Sequence, residues 1–221
     1  IYTPRESFEA KLVPGGKSGC EDPRLTVIGD TVYMLYTAFN GRSEPRVALT
    51  YIKTDDFVAR CWNWSRPILI SPPNVPDKDA ALFPKKIQGK YAILHRLGTS
   101  IWLDYVDNLQ FGDNKWLKGS IIMSPKDELP DTEKVGIAGP PIETKEGWLL
   151  LYHCVSRKTQ PMTYYVAAAL LNLKDPSKVL ARRKVPILQP ETPYELYGQV
   201  NNVVFPCGAV VIGDQLYDYY A

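Results

Sequence analysis

Residues 25–37 read LTVIGDTVYMLYT, two runs rich in β-branched and aromatic residues joined by a Gly-Asp turn. Glycine followed by a short polar residue between alternating apolar runs is typical of a β-hairpin. The same pattern recurs three times, as FPKKIQGKYAILHR (83–96), IETKEGWLLLYHC (142–154) and GAVVIGDQLYDYY (208–220). The turn glycines Gly29, Gly89, Gly147 and Gly213 are 60, 58 and 66 residues apart. The chain therefore repeats one antiparallel element.

A repeat of this length is too long for a leucine-rich or ankyrin unit and matches a propeller blade of four strands. Long helical periodicity is missing, so the sequence predicts an all-β protein. A β-sandwich with unrelated hairpins is the alternative. Four repeats indicate either a four-bladed propeller or part of a larger one.

Composition restricts the partners of the chain. Charged residues make up 23% and hydrophobic residues 45%, and the formal net charge is +2. So small a charge does not favour nucleic acid or an anionic membrane as partner. The four cysteines are isolated in sequence. Because secreted disulfide scaffolds are denser in cysteine, we expect free thiols and a cytoplasmic protein.

Charged side chains gather before the hairpins, where propeller strands open onto a central channel. Asp22 and Arg24 precede Gly29, and Lys78 and Asp79 precede Gly89. The two histidines, His95 and His153, each fall six residues after a turn glycine. Such a mouth could bind a sugar and an anion, although Lys78 could equally form an exposed ion pair of little effect. The spacing of these residues contains no metal-ligand pattern and no serine-hydrolase motif, so we expect no metal.

The string GCEDPRLTVIGDTVYMLYTAFNG (19–41) resembles the signature of glycoside hydrolase family 130, the β-mannoside phosphorylases and related mannosidases. Further strings match that family in its own order. They are residues 77–96, 138–155, 164–176 and 194–211. The resemblance implies a five-bladed β-propeller. Residues 1–221 would form a single catalytic domain that lacks part of the N-terminal blade and the C-terminal closure.

The resemblance also implies roles for individual residues. Asp22 would be the general acid of an inverting phosphorylase, which cleaves β-mannosides with inorganic phosphate to give α-mannose 1-phosphate. Such an acid must stay protonated near neutral pH, through burial or a neighbouring carboxylate such as Glu21. The residues expected to bind phosphate are Arg60 (with Arg66 as competitor), Lys78, His153 and Tyr164 (or Tyr165). Those expected to contact sugar are Arg24, Asp79, His95 and Arg96.

Phosphate would serve as co-substrate and a mannose-containing oligosaccharide as partner, with no cofactor; a homo-oligomer is left open. Two alternatives remain. One is an inverting β-1,2-mannosidase of the same family, with Glu143 or Glu195 as the base that activates water. The other is a propeller that binds sugar without catalysis.

Overall fold

The computed structural model describes residues 1–112, 115–126, 133–156 and 162–221. These residues form separate antiparallel sheets in chain order. The first sheet contains β1 (Gly19–Ile28), β2 (Thr31–Phe39), β3 (Arg46–Lys53) and β4 (Ile68–Leu69). The second contains β5 (Asp77–Leu82), β6 (Tyr91–Leu97), β7 (Ser100–Val106) and β8 (Ser120–Met123).

The third sheet contains β9 (Lys134–Ile137), β10 (Ile142–Glu143), β11 (Trp148–Ser156), β12 (Thr163–Leu171) and β13 (Val179–Arg182). The fourth is the hairpin of β14 (Pro206–Ile212) and β15 (Gln215–Tyr220). The helices in the described ranges are short: a 3-10 turn (Ser7–Glu9), α1 (Thr54–Val58) and α2 (Pro193–Leu196). None of them is long and apolar enough to cross a membrane.

The all-β prediction is confirmed, and the described chain forms four sheets where a sandwich would have two. The predicted hairpins are present as β1–β2, β10–β11 and β14–β15. In the second repeat β6 pairs with β5, which ends at Leu82, before the predicted arm, and only an isolated bridge between Ile87 and Lys90 flanks Gly89. A closed ring is not confirmed, so the five-bladed propeller stays a prediction. The four cysteines, all within the described ranges, are free thiols as expected.

The first strand of every sheet is interrupted, which the hairpin pattern did not reveal. Register shifts fall between Glu21 and Arg24 in β1, between Lys78 and Ala81 in β5, and between Pro206 and Gly208 in β14. In the third sheet β9 and β10 pair with the same edge of β11 on either side of residues 138–141. A bulge bends its strand and redirects the side chains beside it.

Apolar side chains fill the spaces between the first and second sheets and between the second and third. One buried cluster joins the first and second sheets through residues such as Leu35, Leu49, Leu82 and Ile93. Another joins the second and third and includes Phe83, whose ring meets Trp148 edge to face with centroids 5.1 Å apart. This packing holds the interrupted first strands of successive sheets in fixed positions relative to one another.

Candidate active site

Asp22 and Asp79 occupy equivalent places at the bulges of β1 and β5. Both have a φ of 53°, in the left-handed region that aspartate tolerates better than most residues. Backbone held in this region costs about 1–3 kcal/mol and concentrates at functional sites. At each bulge the regular alternation of side chains between the two faces of the sheet is interrupted, and this sets the direction of the Asp22 and Asp79 carboxylates.

The guanidinium of Arg24 connects three of the sheets. Its side chain is fully buried and donates hydrogen bonds to the carbonyl oxygens of Ile137 (2.7 Å), Ala138 (3.0 Å) and Asp22 (2.7 Å). Its Nη2 also lies 3.7 Å from Asp79 Oδ1. Arg24 is thus committed to protein groups and fixes the backbone on which Asp22 stands.

Asp79 is the buried anion at the centre of this arrangement. Its Oδ2 accepts a hydrogen bond from Arg96 Nε at 2.5 Å, and its side chain is 2% exposed. Burial disfavours the charged carboxylate, but the positive charges of Arg96, of His153 once it is protonated in acid, and of Arg24 outweigh it and hold the pKa of Asp79 well below its usual range. Asp79 is therefore ionised throughout the physiological range.

His153 lies against Asp79 and is itself buried. Its Nε2 is 3.5 Å from Asp79 Oδ2, and its ring packs on Phe205 with centroids 4.5 Å apart. Burial lowers the pKa of His153 to about 3, so the imidazole is neutral at neutral pH. At neutral pH the charge on the Asp79 carboxylate is consequently balanced by the arginines and not by His153. Among the described residues, His153 Nδ1 has no hydrogen-bond partner.

Gly136 leaves the space that this contact needs. It pairs with His153 across β9 and β11. A Cβ at this position would lie 2.4 Å from the His153 ring and 2.5 Å from Asp79 Oδ2, closer than real Cβ atoms approach. Only glycine therefore fits at position 136 with the ring and the carboxylate in place.

A cavity of about 740 Å³ opens beside Asp22. Its inner wall includes Glu21, Asp22, Lys78, Tyr164 and Phe205. Residues 15–18 and 198–200 also line it. This volume lies in the range of ligand pockets, roughly 300–1,000 Å³. Lys78 Nζ donates a hydrogen bond to Glu21 Oε2 at 2.9 Å across the first and second sheets.

The surroundings of Asp22 favour its protonated form. Burial raises the pKa of its carboxyl group, and the negative charges of Asp79 and Glu21 act in the same direction. The positive charges of Arg24 and Lys78 oppose the shift without cancelling it. A carboxyl group with a raised pKa at the edge of a cavity can donate a proton to a bound ligand.

Most of the residues predicted from the sequence fall into two groups. Asp22, Lys78 and Tyr164 line the cavity. Arg24, Asp79, Arg96 and His153 form the buried cluster described above. His95 and Arg60 join neither group.

His95 is fully buried in the second sheet, where its Nδ1 lies 2.8 Å from Asp77 Oδ2. In the second sheet His95 faces the bulge of β5, where the pairing of the two strands is interrupted. In the third sheet His153 faces Gly136, which is regularly paired and precedes the break at residues 138–141. The two histidines are therefore not equivalent, and His95 does not reach the cavity as a sugar-contacting residue would.

Arg60 is exposed and follows α1. That helix begins where β3 ends, at Lys53, which pairs with Thr31 beside the turn of the β1–β2 hairpin. Asp22 lies toward the opposite end of β1. The length of the sheet thus separates Arg60 from the cavity, and the competing Arg66 pairs with Glu6.

The acids proposed as bases for a hydrolase do not line the cavity, although Tyr194 beside Glu195 does. Glu195 caps α2, accepting hydrogen bonds from the backbone N–H groups of Glu191 and Thr192 and from the Tyr220 hydroxyl. These hydrogen bonds lower the pKa of Glu195 to about 2. Glu143 pairs with Lys85 at 2.5 Å and lines a separate, largely apolar cleft.

Sequence reasoning missed Lys134 as a cation near the cavity. Its Nζ lies over the Tyr164 ring, 5.1 Å from the centroid, and its charge acts on buried His153. The hairpin pattern gave no signal for Lys134, because β9 precedes the hairpin of β10 and β11 and pairs with His153 through Gly136.

Comparison with known proteins identifies the family. The profile of glycoside hydrolase family 130, described as beta-1,4-mannooligosaccharide phosphorylase, matches residues 10–221. The chain belongs to this family.

Individual relatives agree with that assignment. A beta-1,2-mannobiose phosphorylase from Thermoanaerobacter sp. strain X514 is 46% identical over 208 residues, 94% of this chain and 65% of the relative. A 1,2-beta-oligomannan phosphorylase from the same organism is 40% identical, over 91% of this chain and 64% of the relative. The chain thus spans somewhat less than two thirds of the length of these relatives.

A solved structure is also similar. The beta-1,2-mannobiose phosphorylase of Listeria innocua, in complex with beta-1,2-mannobiose, superposes with a TM-score of 0.75 at 34% identity. The superposition covers 91% of this chain and 54% of the other.

Proposed function

We propose that this chain carries the acid and the phosphate-binding wall of an inverting mannoside phosphorylase. The observation that carries the proposal is Asp22, a carboxyl group of raised pKa that faces a cavity also lined by Lys78. In the reaction, a phosphate oxygen attacks C1 of the mannosyl group, and the glycosidic C1–O bond breaks. Asp22 supplies the proton to the leaving oxygen, directly or through a sugar hydroxyl, and α-mannose 1-phosphate forms with inversion.

Phosphate replaces the second carboxylate that an inverting hydrolase needs, because it is already a charged nucleophile. It requires cations and hydrogen-bond donors to hold it. Lys78 and Tyr164 line the cavity, and Lys134 packs on Tyr164. The uncharged ring of His153 lies beside Tyr164, with ring centroids 6.3 Å apart. Neither Glu143 nor Glu195 is among the residues that line the cavity, and each is already paired within the protein, so the hydrolase alternative lacks the bases considered for it.

The relatives suggest the linkage. Two of them are named for β-1,2-linked mannosides, whereas the family description names a β-1,4-mannooligosaccharide. We therefore take β-1,2-mannosides as the substrate class. We also take the four sheets as blades of a five-bladed propeller, because their interrupted first strands and hairpins repeat in order.

The test is an assay on β-1,2-mannobiose and β-1,4-mannobiose, with and without inorganic phosphate. We expect α-mannose 1-phosphate from the β-1,2 substrate only when phosphate is present, and loss of the product in Asp22→Asn. Release of free mannose at the same rate with and without phosphate would contradict phosphorolysis. Preference for the β-1,4 substrate would contradict only the linkage.

A further inference from the structure

Glu21 and Lys78 form a cross-sheet ion pair inside the cavity. Lys78 Nζ is 2.9 Å from Glu21 Oε2, and each side chain is 28% exposed. Each residue directly precedes a bulge aspartate, Asp22 in β1 and Asp79 in β5. The cation expected to meet phosphate is therefore held by a carboxylate.

This pair can be exchanged at small cost. Partly exposed ion pairs contribute little net free energy, because the attraction is offset by desolvation and by the ordering of two long side chains. Phosphate carries more negative charge than a carboxylate and offers more acceptor oxygens. It can therefore compete with Glu21 for the ammonium group of Lys78.

We propose that Glu21 is an exchange partner for phosphate, holding Lys78 in the ligand-free cavity and giving it up when phosphate binds. The proposal rests on the function proposed above, since it takes phosphate as the incoming anion. It assigns to Glu21 a positioning role and leaves proton transfer to Asp22.

The exchange has a consequence for the acid. The charged and titratable groups around Asp22 are Glu21 and Arg24 from β1, Lys78 and Asp79 from β5, and the thiol of Cys207 from β14. Once Lys78 turns to phosphate, the negative charge of Glu21 is no longer neutralised beside Asp22. Like charge favours the protonated carboxyl group. Phosphate binding thus helps to keep the proton that the reaction consumes.

The test is calorimetric titration of the full chain with inorganic phosphate, comparing wild type, Glu21→Gln and Glu143→Gln. Glu143 is a matched control, because it also pairs with a lysine, Lys85, but lines the other cleft. We expect Glu21→Gln to bind phosphate more tightly, by roughly two- to fivefold for a pair of this exposure. Glu143→Gln should bind phosphate as the wild type does. Unchanged or weaker binding by folded Glu21→Gln would overturn the proposal.

Kinetics supply a readout that a purely structural role would not change. Glu21→Gln should lower the KM for phosphate. The alkaline limb of the pH profile of kcat should also move to lower pH, because the negative charge that favours protonated Asp22 is gone. If Glu21→Gln does not fold, Glu21→Asp breaks the contact by shortening the side chain. It should tighten phosphate binding to a smaller degree, and unchanged binding would again overturn the proposal.

The two proposals fail separately. Calorimetry needs no turnover, so tighter phosphate binding by Glu21→Gln supports the exchange even if the enzyme releases free mannose at a rate indifferent to phosphate. That release would contradict only the phosphorylase. Absence of phosphate binding in both wild type and Glu21→Gln would overturn the exchange.

Discussion

The bulges of the first and second sheets use the same backbone for opposite purposes. Asp22 and Asp79 share a φ of 53° and stand at equivalent register shifts. Asp79 is 2% exposed between Arg24 and Arg96, and its pKa is lowered. Asp22 is half-buried at the edge of the cavity, and its pKa is raised.

The difference shows that the neighbours of a carboxylate, and not its backbone, determine its chemistry. Arg24 illustrates this, since its guanidinium bonds the carbonyl of Asp22 but faces the carboxylate of Asp79. One aspartate thereby becomes a permanent anion that holds three sheets together. The other remains able to carry and release a proton.

The largest expected effect is on catalysis by Asp22→Asn. A positioned general acid contributes about 10²–10⁴-fold to the rate, so kcat for mannobiose phosphorolysis should fall by a factor in this range. Asparagine also tolerates the left-handed backbone, so the free energy of unfolding should change by less than about 1 kcal/mol. Steady-state kinetics and urea unfolding check the two parts. Retention of wild-type kcat would contradict the assignment of the acid.

Asp79→Asn should instead act on stability. Removing one partner of a buried ion pair leaves uncompensated charge and typically costs about 3–5 kcal/mol. Urea unfolding measures the loss. The control is Asp30→Asn, which breaks the exposed Asp30–Lys53 pair and should have no measurable effect. Equal stability of the two variants would show that Asp79 does not hold the buried cluster together.

Gly136→Ala should disturb the contact between Asp79 and His153. The added Cβ would overlap both side chains, and overpacking of this kind costs about 1–3 kcal/mol. Gly208→Ala is the matched control, because a Cβ there meets no atom within 4 Å. The melting temperatures of the two variants check this prediction. It is wrong if Gly136→Ala is as stable as Gly208→Ala.

The smallest expected effect is opposite pH dependence at the two bulges. The stability that Asp22 contributes is present below the ordinary aspartate pKa of about 3.9 and is lost as pH rises through its raised pKa. The contribution of Asp79 is present above about 3.9 and is lost as pH falls toward its lowered pKa. Unfolding of wild type and both Asn variants at a series of pH values measures these differences. Parallel pH profiles would contradict the comparison.

The sequence predicted the hairpins because turn glycines have a local cause. Gly29, Gly89 and Gly213 adopt the positive φ that favours glycine. Gly147 is different, since a Cβ there would lie 2.5 Å from the carbonyl oxygen of Leu171. Close packing, and not a left-handed turn, requires glycine at position 147.

The site was only partly predictable, because bulges and burial arise from contacts between distant segments. His95 and His153 share a spacing from glycine, yet the register places only His153 beside Asp79. Arg60 is a cation, as a phosphate-binding residue should be, but it lies at the end of the first sheet that is remote from Asp22. The charges before the hairpins pointed to Asp22 and Lys78, but only the family resemblance assigned them the roles of acid and phosphate ligand.

The most direct test is carbon-13 NMR titration of the aspartate carboxyl groups, with Asp22 and Asp79 assigned from their Asn variants. We expect Asp22 to titrate above the ordinary aspartate value of about 3.9, while Asp79 stays ionised well below it. A pKa of Asp22 at or below that value would contradict the proposal that it is the acid.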